Sequence, residues 1–238
     1  MSSDPPLSPP YDDEDDDAPE IGAYDDEALI EMVTEELCVG YTAGVIEGVQ
    51  ELLRRNWLPA HILHRALLPG LTLSNDMYQA GTAVMENINL AADAFEQGLQ
   101  LLRQAWPPAP ATPHGRVMLA GVWGDWHTFG LDICALYLQR AGFAVANLGC
   151  NQREQQIITA VQHHQPDVLI LTTTLSGTRR RIPVVIDALR DNGLRHSLYV
   201  LVGGGVLSVT DAEASGADGF CADWDTAVAL VRQYLNQP

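Results

Sequence analysis

No apolar run in the chain approaches the ~18 residues that a membrane-spanning helix needs. No basic segment leads into an apolar stretch at its start, and the expectation is a cytoplasmic protein without a secretory leader. Basic residues are scarce, 13 Lys plus Arg against 31 Asp plus Glu, for a formal net charge of −18 over 238 residues. Such a chain is a poor non-specific binder of nucleic acid or anionic lipid, so neither is an expected partner. Cysteine is sparse too. Cys38, Cys134, Cys150 and Cys221 form no CxxC pair and fit no zinc spacing, so reduced, mostly buried thiols are expected. What is present is apolar: 47% hydrophobic residues suffice for a core and exclude disorder of the whole chain.

The charge is unevenly placed. Residues 1–27 hold eleven acids and no base, and without them 20 acids face 13 bases. Their Pro, Ser and Asp content buries too little apolar area to offset chain entropy. The reading is an acidic disordered tail, the alternative being a docking segment for a basic partner.

Residues 28–105 carry helical periodicity. Ala28, Leu29, Ile30, Met32 and Val33 open one helix, and Tyr41, Val45, Ile46, Val49, Leu52 and Leu53 form an apolar stripe at 3–4 spacing. A short helix over 59–68 is expected to stop or bend at Pro69-Gly70, with further helices over 71–78 and 85–102 and a break at Gly81. Residues 106–114 hold four prolines and read as a semi-rigid linker between two domains.

Over 115–238 the period changes. Short apolar runs at 117–122, 143–148, 168–171, 198–202 and 219–221 alternate with amphipathic helices starting near Gly130, Arg153, Arg179, Thr210 and Trp224. The expected fold class is α/β: a helical bundle, then a Rossmann-like open parallel sheet of five strands with helices on both faces. Ligands of such sheets sit at the carboxyl ends of the strands.

Three features fall on that rim. After the first strand comes Gly124-Asp125-Trp126-His127-Thr128-Phe129-Gly130. Either His127 is a metal ligand whose other ring nitrogen is held by Asp125, or Asp125 caps a helix beside a surface histidine. After the third strand stands a hydroxyl cluster, Thr172, Thr173, Thr174, Ser176 and Thr178. After the fourth, Gly203-Gly204-Gly205 removes every side chain, so that something bulky can approach the backbone. Elsewhere His61 and His64 lie one helical turn apart without a Glu or Cys to complete a metal set, and Arg179-Arg180-Arg181 opens a helix at the end its dipole disfavours for cations.

This set resembles the cobalamin-binding domain family over 115–238. The family's D-x-H-x-x-G is Asp125, His127 and Gly130, its S-x-L falls on Thr172-x-Thr174, a downstream relay hydroxyl falls on Thr178, and its glycine pair on Gly203 and Gly204. The resemblance implies cobalamin as cofactor and His127 as the lower cobalt ligand in place of dimethylbenzimidazole. The displaced nucleotide tail would thread into the domain beside the sheet. Asp125 and Thr178 would adjust the charge on His127. Thr174 departs from the pattern by replacing a leucine, and Leu131-Asp132 stands where carriers commonly have Lys-Asn.

The helical region is similar to the cap of corrinoid methyltransferase proteins and of B12-dependent methionine synthase, through Leu67-Leu68-Pro69-Gly70, Tyr78-Gln79-Ala80-Gly81 and Leu90-Ala91-Ala92-Asp93-Ala94. This implies a cap in which Tyr78, Met85 and Ile88 shield the upper corrin face, with Asn89 where an apolar residue is usual. The implied function is a carrier subunit that moves a methyl group on cobalt between partner methyltransferases. The alternative is a sensory protein, photoreceptor or antirepressor, acting through a regulatory protein partner. Photoreceptors of this layout carry W-x9-E-H in the cap, where this chain has Tyr78, Ile88 and Asn89 and so lacks the upper-ligand histidine.

Overall fold

The computed structural model describes residues 20–108 and 112–235. The first nineteen residues of the acidic segment, and residues 109–111 of the linker, lie outside the described residues. The chain divides into two compact units between Trp106 and Pro107, within the proline-rich stretch.

The first unit is helical. Helix α1 (Asp26–Val39) begins two residues ahead of the expected start, and the acids at its end explain why. Asp25 caps it by accepting from the Ala28 N–H at 2.9 Å. Asp26 takes Arg55 at 2.8 Å and the Trp57 indole N–H at 2.9 Å, and Glu27 pairs with Arg65. Acids in a first turn complement the helix dipole; read by charge alone they belong to the tail. Helix α2 (Thr42–Arg54) turns its apolar stripe inward, burying Val45, Val49 and Leu52.

Pro69 neither stops nor separates the next segment. Helix α3 (Pro59–Ile62) passes through a π turn (Leu63–Leu67) into α4 (Leu68–Gln79), which carries Pro69 in its first turn. The wider π turn absorbs the missing proline N–H and the clash with the preceding turn. Gly81, at φ +74°, follows α4, and α5 (Met85–Ala105) closes the unit. Its core is Leu29, Val33, Leu37, Leu63, Leu67, Phe95, Leu99 and Leu102.

The second unit is the alternating α/β chain. Its strands are β1 (Arg116–Gly121), β2 (Ala144–Asn147), β3 (Val168–Thr172), β4 (Tyr199–Gly203) and β5 (Gly219–Cys221). All pairings are parallel, in the order β2-β1-β3-β4-β5. Between them run α6 (Phe129–Arg140), α7 (Glu154–His164), α8 (Arg181–Asp191) and α9 (Val209–Ser215), with α10 (Trp224–Tyr234) last. Strand pleating sorts the core into two layers. Val117, Leu119, Val168 and Ile170 pack with α6 and α10; Met118, Ala120, Leu169 and Leu171 pack with α7 and α8. The order reverses between β1 and β3, so their carboxyl ends diverge there and leave room for a ligand.

Candidate cobalamin site

The loop leaving β1 is held before any ligand arrives. Asn151, itself at φ +58°, accepts from the Gly124 N–H at 2.9 Å, and the Arg153 guanidinium lies 3.8 Å over the Trp123 ring. Gly124 sits at φ +90°, which few other residues would adopt without strain. This turn drives Asp125 inward, to 2% exposure, and leaves Trp126 71% exposed.

Asp125 is the hub. Its Oδ1 accepts from the His127 backbone N–H at 3.1 Å and meets His127 Nδ1 at 2.7 Å. Its Oδ2 accepts from Thr173 Oγ1 at 3.1 Å and from the Thr174 N–H at 2.5 Å, and Thr174 Oγ1 lies 3.1 Å away. Burial pushes the carboxyl pKa upward, but these bonds, led by the Thr174 N–H and the His127 side chain, overcome it and hold the value at about 2. The group is therefore a carboxylate, and a carboxylate only accepts. Nδ1 of His127 must carry the proton, which leaves the Nε2 lone pair of the neutral ring for a metal.

The hydroxyl cluster extends this line. Thr178 Oγ1 lies 2.5 Å from Thr173 Oγ1, and Thr173 donates onward to Asp125. The downstream hydroxyl thus reaches the carboxylate through Thr173, a fully buried member of the cluster to which the sequence assigned no role of its own. Its signal was strand parity: Val168, Ile170, Thr172 and Thr174 share one face, and Thr173 belongs to the other.

Beside His127 a cleft of ≈ 310 Å³ runs between α6 and α10. Thr172, Thr174, Gly130, Gly203, Gly204 and Gly205 line it with His127. Deeper lie Leu131, Cys134, Ile170, Cys221 and Ala227, all buried. Burial pushes the Cys134 and Cys221 thiols up to about 12, so both stay protonated. A Cβ at Gly130 or Gly205 would meet nothing within 4 Å, so the space at the mouth is open, whereas one at Gly204 would fall 2.0 Å from the Thr173 carbonyl oxygen. Trp224 ties α10 to the start of α6 beside the cleft, donating from Nε1 to the Gly130 carbonyl at 3.1 Å. Trp224, Cys134 and Cys221 come from elements far apart in sequence, and no motif marked them.

The second unit thus brings together Asp125, His127, Gly130, Thr172, Thr174, Thr178, Gly203 and Gly204. The other candidates lie in the first unit: Tyr78 half-buried in the last turn of α4, and Met85, Ile88 and Asn89 at the start of α5, with Met85 and Asn89 exposed. Among the described residues no group of three or more His, Cys, Asp or Glu side chains could hold a metal. A single imidazole suits a metal whose other ligands come with a macrocycle. The open glycine-lined cleft, together with one oriented imidazole, fits a corrin with its nucleotide tail.

Residues 115–231 match the model of the B12 binding domain. The chain as a whole is similar to corrinoid proteins. A dimethylamine corrinoid protein of Methanosarcina acetivorans is 28% identical over 215 residues, covering 89% of this chain and 99% of the relative. A methanol–corrinoid protein of Methanosarcina barkeri is 26% identical, over 78% of this chain and 70% of its own. A match of 215 residues extends well beyond the α/β unit into the helical one. The solved structure of the Methanosarcina barkeri monomethylamine corrinoid protein has a TM-score of 0.78 at 18% identity, covering 88% of this chain and 99% of that one, and shares the fold. No helix among the described residues is long and apolar enough to cross a membrane.

Proposed function

We propose that this chain is a cytoplasmic corrinoid protein that carries a methyl group on the cobalt of a bound cobalamin between partner methyltransferases. The observation that supports it most is the Asp125-held imidazole of His127 at the mouth of a glycine-lined cleft. Bound cobalamin supplies the methyl-accepting and methyl-donating chemistry; the protein supplies ligation, burial and access. His127 offers Nε2 to the cobalt, and Asp125, Thr173 and Thr178 fix its tautomer and orientation. The similarity to corrinoid proteins named for dimethylamine and for methanol supports methyltransferases as the partners.

The test is reconstitution with hydroxocobalamin or methylcobalamin, followed by desalting. The expected product retains one cobalamin per chain with a base-off, histidine-on visible spectrum. His127→Ala shifts that spectrum to the unligated form and weakens retention. A wild-type chain that emerges colourless overturns the proposal.

A further inference from the structure

We propose that Arg179 is a positioning residue that holds the glycine lip of the cleft against its hydroxyl lip, and so sets how long cobalamin stays bound. The inference rests on the cobalamin reading above.

The cleft is bounded on one side by the stretch after β3, with Thr172 and Thr174, and on the other by Gly203, Gly204 and Gly205 after β4. Near the sheet these lips are joined. The Thr173 N–H donates to the Gly203 carbonyl at 3.2 Å, and Gly204 lies so close to the Thr173 backbone that only glycine fits. Farther out Gly205 stands between this joint and Leu207, where the chain re-enters the core and the Leu207 N–H donates to the Gly204 carbonyl at 3.1 Å. Gly205 is exposed, with no heavy atom within 4 Å of where its Cβ would be. On the opposite sheet face lies a cavity of ≈ 430 Å³, lined by Ile182, Val202, Leu207 and Asp211 among others. Glycine loses more conformational freedom on ordering than any other residue, so Gly205, between the fixed Gly204 and Leu207, is the pliant point of the lip.

Arg179 supplies the outer anchor. Its Nη2 donates to the Val206 carbonyl at 2.5 Å, and its Nη1 lies 3.4 Å from Asp211 Oδ1. Asp211 is fixed in turn, accepting from the Ser208 N–H at 2.9 Å and from Ser208 Oγ at 2.6 Å. One guanidinium on the β3 side therefore grips the chain immediately past the glycines and the first turn of α9. It also stands next to Thr178, whose hydroxyl leads through Thr173 to the carboxylate that orients His127. The planar fork suits this two-point grip, because two nitrogens held in one plane reach the two acceptors, whereas a lysine must serve both from a single nitrogen on a flexible stem.

The Arg179 side chain is 46% exposed, and ion pairs that exposed add little to stability. Its effect on cofactor retention is therefore separable from an effect on folding. The experiment loads the full chain with hydroxocobalamin and follows cofactor release by repeated desalting, alongside the visible spectrum and the apo melting temperature. Arg179→Ala should release cobalamin about tenfold faster, equivalent to ~1.4 kcal/mol, with an unchanged histidine-on spectrum. Arg179→Lys should fall between it and wild type. Arg190→Ala, which removes a bond to Asp187 on the same helix and a contact with Gly216, both away from the glycine lip, should release at the wild-type rate. Wild-type release from Arg179→Ala overturns the proposal, and so does a lost histidine-on spectrum or a melting temperature lowered by more than about 5 °C, which would mark general damage. A wild-type chain that never retains cobalamin refutes the functional reading itself, and that outcome is read from the wild type alone.

Discussion

Asp125 is the residue whose removal tests the site's construction most directly. Its carboxyl is buried yet held at about 2, below its ordinary 3.8, by the Thr174 N–H, His127 and the Thr174 hydroxyl. A pKa lower in the folded state means that this carboxylate stabilises the fold above pH ~4, and that the contribution disappears as the pH falls through 2. The difference is worth about 2.5 kcal/mol at ~1.36 kcal/mol per unit. Asp125→Asn removes the charge and turns an amide NH2 toward either the Thr174 N–H or the His127 Nδ1–H, donor against donor. It also spares the cost of burying a charge, which offsets part of the loss. The expected net cost at pH 7 is about 2 kcal/mol. Hydrogen exchange of the β1 and β3 amides in the full-length apo-protein reads this locally and keeps the helical unit out of the measurement. Protection in these strands should drop by roughly 30-fold at pH 7, and the wild-type advantage should vanish near pH 2. A variant within ~0.5 kcal/mol of wild type at pH 7 would show that the donors around Asp125 do not hold it as described.

Other consequences are independent of cobalamin. Glu36 is 4% exposed, its Oε2 has no hydrogen-bond partner, and burial, aided by Glu47 and Glu35, pushes its pKa up to about 7. A raised pKa means stability that is full below about 4.5 and lost as the pH rises through 7, so Glu36→Gln should stabilise the helical unit by up to ~3 kcal/mol at pH 8 and by nothing at pH 4. Thermal unfolding of that unit at the two pH values checks both sign and window. Gly204, at φ +119° with the Thr173 carbonyl in the place of its Cβ, should cost more than about 2 kcal/mol as Gly204→Ala. Gly205→Ala should leave apo stability nearly unchanged, since open space surrounds it, and equal urea midpoints for the two variants would contradict this difference.

The sequence by itself determined the order of elements and the chemistry at the rim. Apolar periodicity separated a helical unit from an alternating α/β unit, because the 3.6- and 2-residue repeats are local properties of the chain. The D-x-H spacing also carried its own geometry: two residues suffice to close the Asp125–His127 contact, and so the motif was legible. What tertiary structure decided is whatever depends on distant segments meeting. Asp26 and Glu27 read as tail until Arg55 and Arg65 supply their partners across the fold. Pro69 read as a stop or a bend until the π turn ahead of it carried the helix through. Thr173 became the link between Thr178 and Asp125 only when β3 was laid beside β1. Trp224, Cys134 and Cys221 joined the cleft because α10, α6 and β5 converge on one sheet face, and Arg179 became a brace because the chain after β4 passes within its reach. A single sequence records which groups are available, but a hydrogen bond across 27 to 94 residues is fixed by packing, and packing is settled only when the whole sheet closes.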